Sequence, residues 1–228
     1  MMRAKPDGFK GFTLIELLVT LAVLSLVLAI SYYFYFTLSS RWGEQSEQFE
    51  SNLSELRHQT ILRVALKGTM PWVVVDAQDT PSFFFVGNET DLLAITDRGI
   101  FNRDYPEIFR LSIVRNESGT LDIVYQARTT QNFVLTGTDQ YIPFEHEVTL
   151  FRGLSAAEFA YFGWDNLSVK SEGVARPRWF DRYSGIDRQL MPGMIILSLS
   201  DQDRSLQLVS SINPNVELWL APYLDDLI

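Results

Sequence analysis

Residues that could do chemistry are scarce in this chain of 228 residues, which has two histidines and no cysteine. Without thiols there can be no disulfide, thiolate metal site or cysteine nucleophile. His58 follows Arg57 in a helical pattern, where a surface or packing role is expected. His146 stands between Glu145 and Glu147, and alternation along a strand would place it on the face opposite both acids. Neither histidine therefore indicates a metal site or a catalytic triad.

Three pairs of acidic residues are further candidates for acid–base or calcium chemistry. Calcium needs six or more oxygens in a loop that wraps the ion, and the sequence has no EF-hand pattern, so turn formation is the simpler explanation. The sequence also lacks a phosphate-cradling glycine loop and a G-x-S-x-G elbow. We therefore expect no enzymatic activity, no catalytic residue, no cofactor and no metal ion. The acidic pairs are Asp181 with Asp187, Asp201 with Asp203, and Asp225 with Asp226.

Glu16 is the most unusual charged residue, because it stands at the start of the apolar run GFTLIELLVTLAVL. A carboxylate that faces lipid costs a few kcal/mol, so a partner for it is expected. One alternative needs no second molecule. A carboxylate in the first turn of a helix is stabilised by about 0.3 to 1 kcal/mol through the helix dipole. The residues alone leave both roles open.

The apolar run after Glu16 is long enough to cross a membrane. No charged residue occurs from Leu17 to Ser40, and about 20 apolar residues span the hydrocarbon core as a helix. Arg3, Lys5 and Lys10 precede the run, and positive charge keeps that end in the cytoplasm. A secretory signal would have a shorter apolar core and a small-residue cleavage site. Hydropathy alone is also compatible with a plain signal anchor.

The segment Gly11-Phe12-Thr13-Leu14-Ile15-Glu16 resembles the processing motif of type IV prepilins, with its glycine, its phenylalanine and a glutamate five residues after the glycine. Gly8-Phe9 has no glutamate at that distance. The resemblance implies that an inner-membrane prepilin peptidase cuts between Gly11 and Phe12, and that Phe12 becomes N-methylated. Glu16 would then be the assembly carboxylate, paired with the amino terminus of a neighbouring subunit. It also implies a single-pass protein of the bacterial inner membrane with its C-terminal domain in the periplasm.

The helix is expected to continue past the membrane and to pack on a sheet. Apolar residues recur at helical spacings after Arg41, among glutamates that would face water. Gly68 and Pro71 then end the helix. Such a helix resembles the long spine of pilins. The apolar positions are Trp42, Phe49, Leu53, Leu56, Ile61, Leu62 and Leu66.

The rest of the sequence predicts a mainly antiparallel sheet. Short runs of β-forming residues, such as WVVV (72–75), FFFV (83–86) and RSLQLVSSI (204–212), are separated by turn residues, and local turns favour antiparallel pairing. Two stretches without such a pattern, 129–143 and 166–191, are predicted to be long loops. The fold class is therefore α+β and pilin-like. Its predicted segments are a leader (1–11), a transmembrane half-helix (12–40), an amphipathic half-helix (41–68) and a periplasmic β-rich domain (69–228).

The order of elements in the globular part also resembles J-type minor pseudopilins of type II secretion. A hairpin (109–128) precedes LFRGLSAAEFAYFG (150–163), a tryptophan loop and a proline-led apolar strand (190–200). This resemblance implies a subunit at the tip of the periplasmic pseudopilus that supports protein export. A minor pilin of a type IV or mannose-sensitive pilus, acting in pilus biogenesis or adhesion, would share the order. A membrane-anchored enzyme would need a convergent polar site, and the sequence indicates none.

The loop around Trp179 is the best candidate for a partner surface. Trp, Tyr and Arg are enriched at interface hot spots, which favours contacts with other minor subunits. A lid that buries Trp179 on its own sheet is the alternative. The residues concerned are Arg176, Arg178, Trp179, Phe180, Arg182 and Tyr183.

The charge of the chain limits its partners. With 28 acidic and 19 basic residues the net charge is −9, which disfavours nucleic acid, because a polyanion requires a basic surface. The expected partners are therefore other minor pseudopilins or pilins, the prepilin peptidase and the inner membrane.

Overall fold

The computed structural model describes residues 13–173, 175–201, 204–213 and 216–224, including their side chains except those of 38–52, 54, 217 and 224. The chain divides into two compact units, Met1–Ser54 and Glu55–Ile228. In its described part the first unit is almost entirely helix. The second contains the last turns of that helix and all of the described strands.

The first helix, α1 (Leu14–Lys67), has 54 residues and ends where the sequence predicts. Gly68 follows it, and a Cβ atom at that position would lie 2.5 Å from Oγ1 of Thr96. Only a glycine therefore allows the backbone to pass so close to Thr96. That same hydroxyl donates a hydrogen bond to the carbonyl oxygen of Ala65 (2.9 Å), which ties the last turns of the helix to the sheet.

All pairs of strands in the described part of the chain are antiparallel, as predicted. In chain order the strands are β1 (Thr69–Met70), β2 (Val73–Val75), β3 (Pro81–Phe83), β4 (Val86–Gly87), β5 (Asp91–Thr96), β6 (Glu107–Arg115), β7 (Leu121–Thr129), β8 (His146–Leu154), β9 (Ala156–Gly163), β10 (Arg178–Phe180), β11 (Tyr183–Ser184), β12 (Met194–Ser200) and β13 (Ser205–Ser211). The predicted α+β, pilin-like architecture is confirmed.

The strands form two sheets and a small ribbon. The seven-stranded sheet has the order β11-β4-β5-β6-β7-β8, with β1 also paired to β5. The four-stranded sheet has the order β10-β9-β12-β13, and β2 pairs with β3. The predicted hairpin turn between β6 and β7 is confirmed, with Asn116 N–H donating to the Thr120 carbonyl oxygen (2.9 Å) and Gly119 at a φ of 84°.

The main core combines buried side chains of both sheets with the C-terminal turns of α1. The helix contributes Leu62, Ala65 and Leu66, each at most 1% exposed. Leu53 and Leu56, predicted on the packing face, are instead 50% and 58% exposed. A rotation of about 100° per residue turns both of them away from Leu62, so the predicted apolar face was too wide. The side chains of Trp42 and Phe49 lie outside the described part.

A second core lies on the other face of the seven-stranded sheet, where Ile95 and Ile108 alternate with main-core neighbours. The segment predicted as a loop at 129–143 covers it, beginning with a short 3-10 helix, Thr130–Asn132. Its position is fixed in part by Trp72, whose Nε1–H donates to the carbonyl oxygen of Leu135 (3.0 Å).

The phenylalanine run at 83–86 was predicted to be one strand, and this is wrong. Strand β3 ends at Phe83, and β4 begins at Val86. Between them the N–H of Phe85 donates to the carbonyl oxygen of Phe83 (2.9 Å), a three-residue turn that interrupts the ladder. Phe83 and Phe85 enter the main core, and Phe84 enters the second core.

The long loop predicted at 166–191 is also wrong, because this stretch holds four short elements. Helix α2 (Leu167–Glu172) begins after Asn166, whose side chain accepts the N–H of Val169, and ends at Gly173 with a φ of 66°. Helix α3 (Gly185–Arg188) is capped in the same way by Ser184. Strands β10 and β11 lie between the two helices, and a last short helix, α4 (Ala221–Leu224), follows β13.

Candidate functional site

The predicted N-terminal processing site begins just before the described part of the chain. The predicted cleavage residues, Gly11 and Phe12, lie outside the described residues, so their roles stay predictions. The described residues begin at Thr13, and Glu16 lies in the first turn of α1.

Thr13 and Glu16 together form a capping box at the start of α1. The N–H and the Oγ1–H of Thr13 both donate to Oε2 of Glu16, and each donor–acceptor distance is 3.2 Å. In return the N–H of Glu16 donates to Oγ1 of Thr13 (3.4 Å). This reciprocal pairing satisfies backbone donors that have no partner within the helix. The T-x-x-E spacing of Thr13 and Glu16 is a sequence signal for such a box, and the sequence-based prediction did not include it.

The capping geometry keeps the Glu16 carboxylate at the positive end of the helix dipole, where a negative charge is stabilised. Both hydrogen bonds from Thr13 go to the same oxygen, Oε2. Oε1 accepts no hydrogen bond from the described residues. The glutamate is therefore both a helix cap and a carboxylate that can still accept from a second molecule.

One helix in the described part of the chain, Leu14–Thr37, is long and apolar enough to cross a membrane. The hydroxyl groups of Thr20 and Ser25 bond within the helix: Thr20 donates to the Glu16 carbonyl oxygen (2.9 Å), and Ser25 to that of Leu21 (2.8 Å). Backbone groups that bond within the helix, and hydroxyl groups that bond to them, lower the cost of surrounding this segment with hydrocarbon. The apolar N-terminal helix is thus consistent with membrane anchoring.

The predicted interface around Trp179 divides into exposed and buried residues. Phe180 is 8% exposed and Tyr183 is fully buried, and both belong to the main core. They cannot contact a partner while the domain is folded. Trp179 is 50% exposed, and its ring lies 5.1 Å from that of Phe162 on the neighbouring strand β9. The other exposed members of the set are Arg176, Arg178 and Arg182.

Arg178 and Arg188 both bond to Asp165 next to the predicted interface. Arg178 donates to both carboxylate oxygens of Asp165 (2.7 and 3.3 Å), and Arg188 donates to the Asp165 carbonyl oxygen (2.7 Å). The hydrogen bond from Arg178 holds the pKa of Asp165 below its usual value. Burial raises the pKa of Tyr183 to about 12. Arg178 is therefore bound to Asp165 within its own domain, and the exposed remainder of the predicted interface centres on Trp179.

Replacement of Trp179 and of its neighbour Phe180 should have very different effects on stability. Trp179→Ala removes a side chain that is half in water, so we expect a loss of about 1 kcal/mol. Phe180→Ala empties a core position and should cost about 3 to 5 kcal/mol. Urea unfolding of the two full-length variants in detergent checks this. Equal losses would show that Trp179 acts as a lid over its own sheet.

The histidines pack against aromatic rings. His58 meets Phe151 edge-on at 6.4 Å, and His146 stacks on Phe101 at 4.6 Å. His146 pairs with Ala127, and the adjacent Glu147 bonds to Gln126, so strand alternation separates the histidine from that acid as predicted.

The acidic pairs do not converge in the described part of the chain. No group of three or more His, Asp or Glu side chains there could hold a metal ion. Asp181 and Asp187 are exposed, and the Asp187 N–H donates to the hydroxyl of Ser184 (3.1 Å), which is turn chemistry. Asp203, Asp225 and Asp226 lie outside the described residues.

The fold and the helix start together define a class of protein: an apolar N-terminal helix followed by an antiparallel β-domain, which is the pilin-like architecture. The model of the prokaryotic N-terminal methylation motif matches residues 7–32. That motif supports a type IV pilin-like or pseudopilin protein, and it implies processing by prepilin peptidase and assembly with other pilins in a filament. Members of such families are structural subunits rather than enzymes. No curated protein sequence matches the chain.

Proposed function

We propose that this chain is a minor pseudopilin of a type II secretion system, which assembles at the tip of the periplasmic pseudopilus and supports protein export. The observation that carries the proposal is the methylation motif at 7–32, in register with the apolar helix Leu14–Thr37. The order of elements after the helix, with the β6–β7 hairpin followed by β9, the tryptophan loop and β12, supports the J-type assignment.

The mechanism is physical rather than chemical. After cleavage between Gly11 and Phe12 and methylation of Phe12, the apolar helix leaves the lipid and packs with the helices of other subunits. Glu16 pairs with the amino terminus of a neighbour, which removes the cost of a carboxylate in an apolar surrounding. The β-rich domain, at 69–228, lies in the periplasm and contacts other minor subunits through Trp179, Arg176 and Arg182.

The mature N-terminus tests the first step. Mass spectrometry of the chain from cells that contain the prepilin peptidase should show Phe12 as the first residue, carrying one methyl group. Cells without the peptidase should yield the chain with residues 1–11 attached. An unprocessed Met1 in cells that have the peptidase would contradict the proposal.

A minor pilin of a type IV or mannose-sensitive pilus is the second candidate, because the same motif and helix serve both machines. Deletion of the gene that encodes this chain distinguishes the two candidates. Loss of exported type II substrates with surface pili retained supports the pseudopilin, whereas loss of pili or adhesion with export retained supports the pilin.

A further inference from the structure

Three arginines in the described part of the chain are partly buried, and two of them have a carboxylate partner. Nη1 of Arg128 lies 3.2 Å from Oε1 of Glu145. Nη1 of Arg188 lies 3.6 Å from Oδ1 of Asp165. Both guanidinium groups also lie over an aromatic ring of the domain. The third, Arg110, has the ring but no carboxylate among the described residues.

Arg110 lies on β6, with its guanidinium carbon 4.9 Å from the centre of the Phe144 ring. A cation over a ring is attracted to it, but the contact leaves the planar fork of N–H donors free for a carboxylate. The arrangement repeats what is seen at the other two partly buried arginines, with one component missing. The guanidinium of Arg110 is therefore open to a carboxylate from a second molecule.

The side chain of Arg110 lies in a groove of about 490 Å³ on the outer face of the seven-stranded sheet. Strand register places Val86, Leu93, Arg110 and Gln126 side by side across β4, β5, β6 and β7. The floor therefore runs from two apolar side chains to a cation and an amide. Grooves that bind ligands have such volumes and such a mixture, with a few polar groups set in an apolar lining.

The wall of the groove is preformed. It is made by residues 138–144, which include Phe144 and Tyr141, the latter 83% exposed. The backbone of this segment is held at both ends. The N–H of Val75 donates to the Thr136 carbonyl oxygen (2.9 Å), and Nη1–H of Arg128 donates to that of Pro143 (2.7 Å). A fixed wall reduces the ordering that binding would otherwise require.

We propose that this groove binds an acidic peptide segment of a partner protein, in which a carboxylate is flanked by an apolar residue. The carboxylate would accept two parallel hydrogen bonds from Arg110, as planar guanidinium groups favour. The apolar neighbour would lie against Val86, Leu93 and the exposed ring of Tyr141. This apolar contact distinguishes a peptide from a free anion, which would use the guanidinium alone.

Full-length protein in detergent micelles, labelled with ¹⁵N-arginine, tests the proposal by NMR. We expect acetyl-Leu-Asp-Leu-amide to shift the Arg110 side-chain signal, with an affinity at least about tenfold above that of acetyl-Leu-Asn-Leu-amide, because a hydrogen bond between two charged groups is stronger than one to a neutral amide. The two peptides differ only in the charge of one side chain. This comparison needs no variant of the protein.

Variants and a small anion complete the experiment. Arg110→Gln should abolish the preference for the Asp peptide, whereas Arg115→Gln, an exposed position on the same strand, should leave it unchanged. Equal binding of the two peptides would overturn the proposal. Acetate that binds Arg110 as tightly as the peptide would show a simple anion site, which also overturns it. Neither result would bear on processing at Gly11, so the pseudopilin proposal is tested separately.

Discussion

Glu16→Gln should abolish incorporation of the chain into filaments while leaving removal of residues 1–11 intact. Glutamine keeps an oxygen that can serve in the capping box with Thr13, so the helix start is preserved. What is lost is the negative charge that pairs with a neighbour's amino terminus. Breaking such a pair in an apolar surrounding leaves one charge without a partner, at about 3 to 5 kcal/mol. Incorporation should therefore fall by about a hundredfold or more.

Thr13→Ala is the matched control for this prediction. It removes the hydroxyl that bonds to Glu16 and weakens the helix start by about 0.5 to 2 kcal/mol, but it leaves the carboxylate charged. Filaments purified from cells that express each variant can be compared for their content of the chain, with the mature N-terminus checked by mass spectrometry. Thr13→Ala should be incorporated close to normal.

The opposite pattern would contradict an assembly role for Glu16. If Glu16→Gln is incorporated like the unchanged chain and Thr13→Ala is not, the glutamate acts only through the capping box. If both variants remain uncut, the effect lies at the peptidase, and the assembly step is not reached. The two substitutions thus separate a role within one chain from a role between chains.

The helix and most strands were predictable because each depends on local sequence. Gly68 stops α1 at Lys67, and the run RSLQLVSSI predicted at 204–212 contains β13 with one residue to spare at each end. Alternation of apolar and polar residues identifies long strands such as β6 and β7, because one face is buried and the other is not. The match of the methylation motif to residues 7–32 agrees with the resemblance seen at Gly11 to Glu16.

Elements that depend on contacts distant in sequence were not predictable in this way. The phenylalanines at 83–85 look like a buried strand, yet they divide between two cores, which only the assembled sheets create. Strands β10 and β11, of three and two residues, are too short for a periodic pattern and exist because β9 and β4 pair with them. The caps at Asn166 and Ser184 are local sequence signals for α2 and α3, and the predicted loop at 166–191 did not include these helices.

The candidate functional residues also differ in whether local sequence or distant contacts place them. Glu16 and its neighbours form a motif contiguous in sequence, so the sequence indicates them directly. Arg110 and Phe144 come from distant segments, and only the folded domain brings them into one groove. Phe180 and Tyr183 have the residue types of an interface, but the pairing of β10 with β9 and of β11 with β4 turns both inward.

Glu107 is the buried charged residue on which the domain should depend most. It is 1% exposed, and its carboxylate accepts the backbone N–H groups of Ile100 (3.0 Å), Phe101 (2.8 Å) and Asn102. The hydroxyl of Tyr125 donates to it as well (3.3 Å). One side chain thus fixes the connection between β5 and β6, in which three successive N–H groups have no strand partner.

Glu107→Ala should destabilise the full-length chain by about 3 to 5 kcal/mol, since it leaves these donors without an acceptor. Glu107→Gln should cost about 2 kcal/mol, because its amide NH₂ replaces one of two accepting oxygens and would face donors. Urea unfolding in detergent, followed by tryptophan fluorescence, measures both losses. The ranking of the two losses of stability is as informative as their magnitudes, because the alanine variant loses both oxygens.

Glu158→Gln on β9 is the control, because this carboxylate is exposed and its loss should change stability by less than about 0.5 kcal/mol. Gly99 supplies an independent check of the same site. A Cβ atom there would lie 2.1 Å from Cδ of Glu107, so Gly99→Ala should displace the carboxylate from its donors. In a chain that already carries Glu107→Ala, Gly99→Ala should lower the stability much less than it does alone, because the carboxylate that it displaces is already absent. Strict additivity of the two losses would show that the connection is held by something other than Glu107.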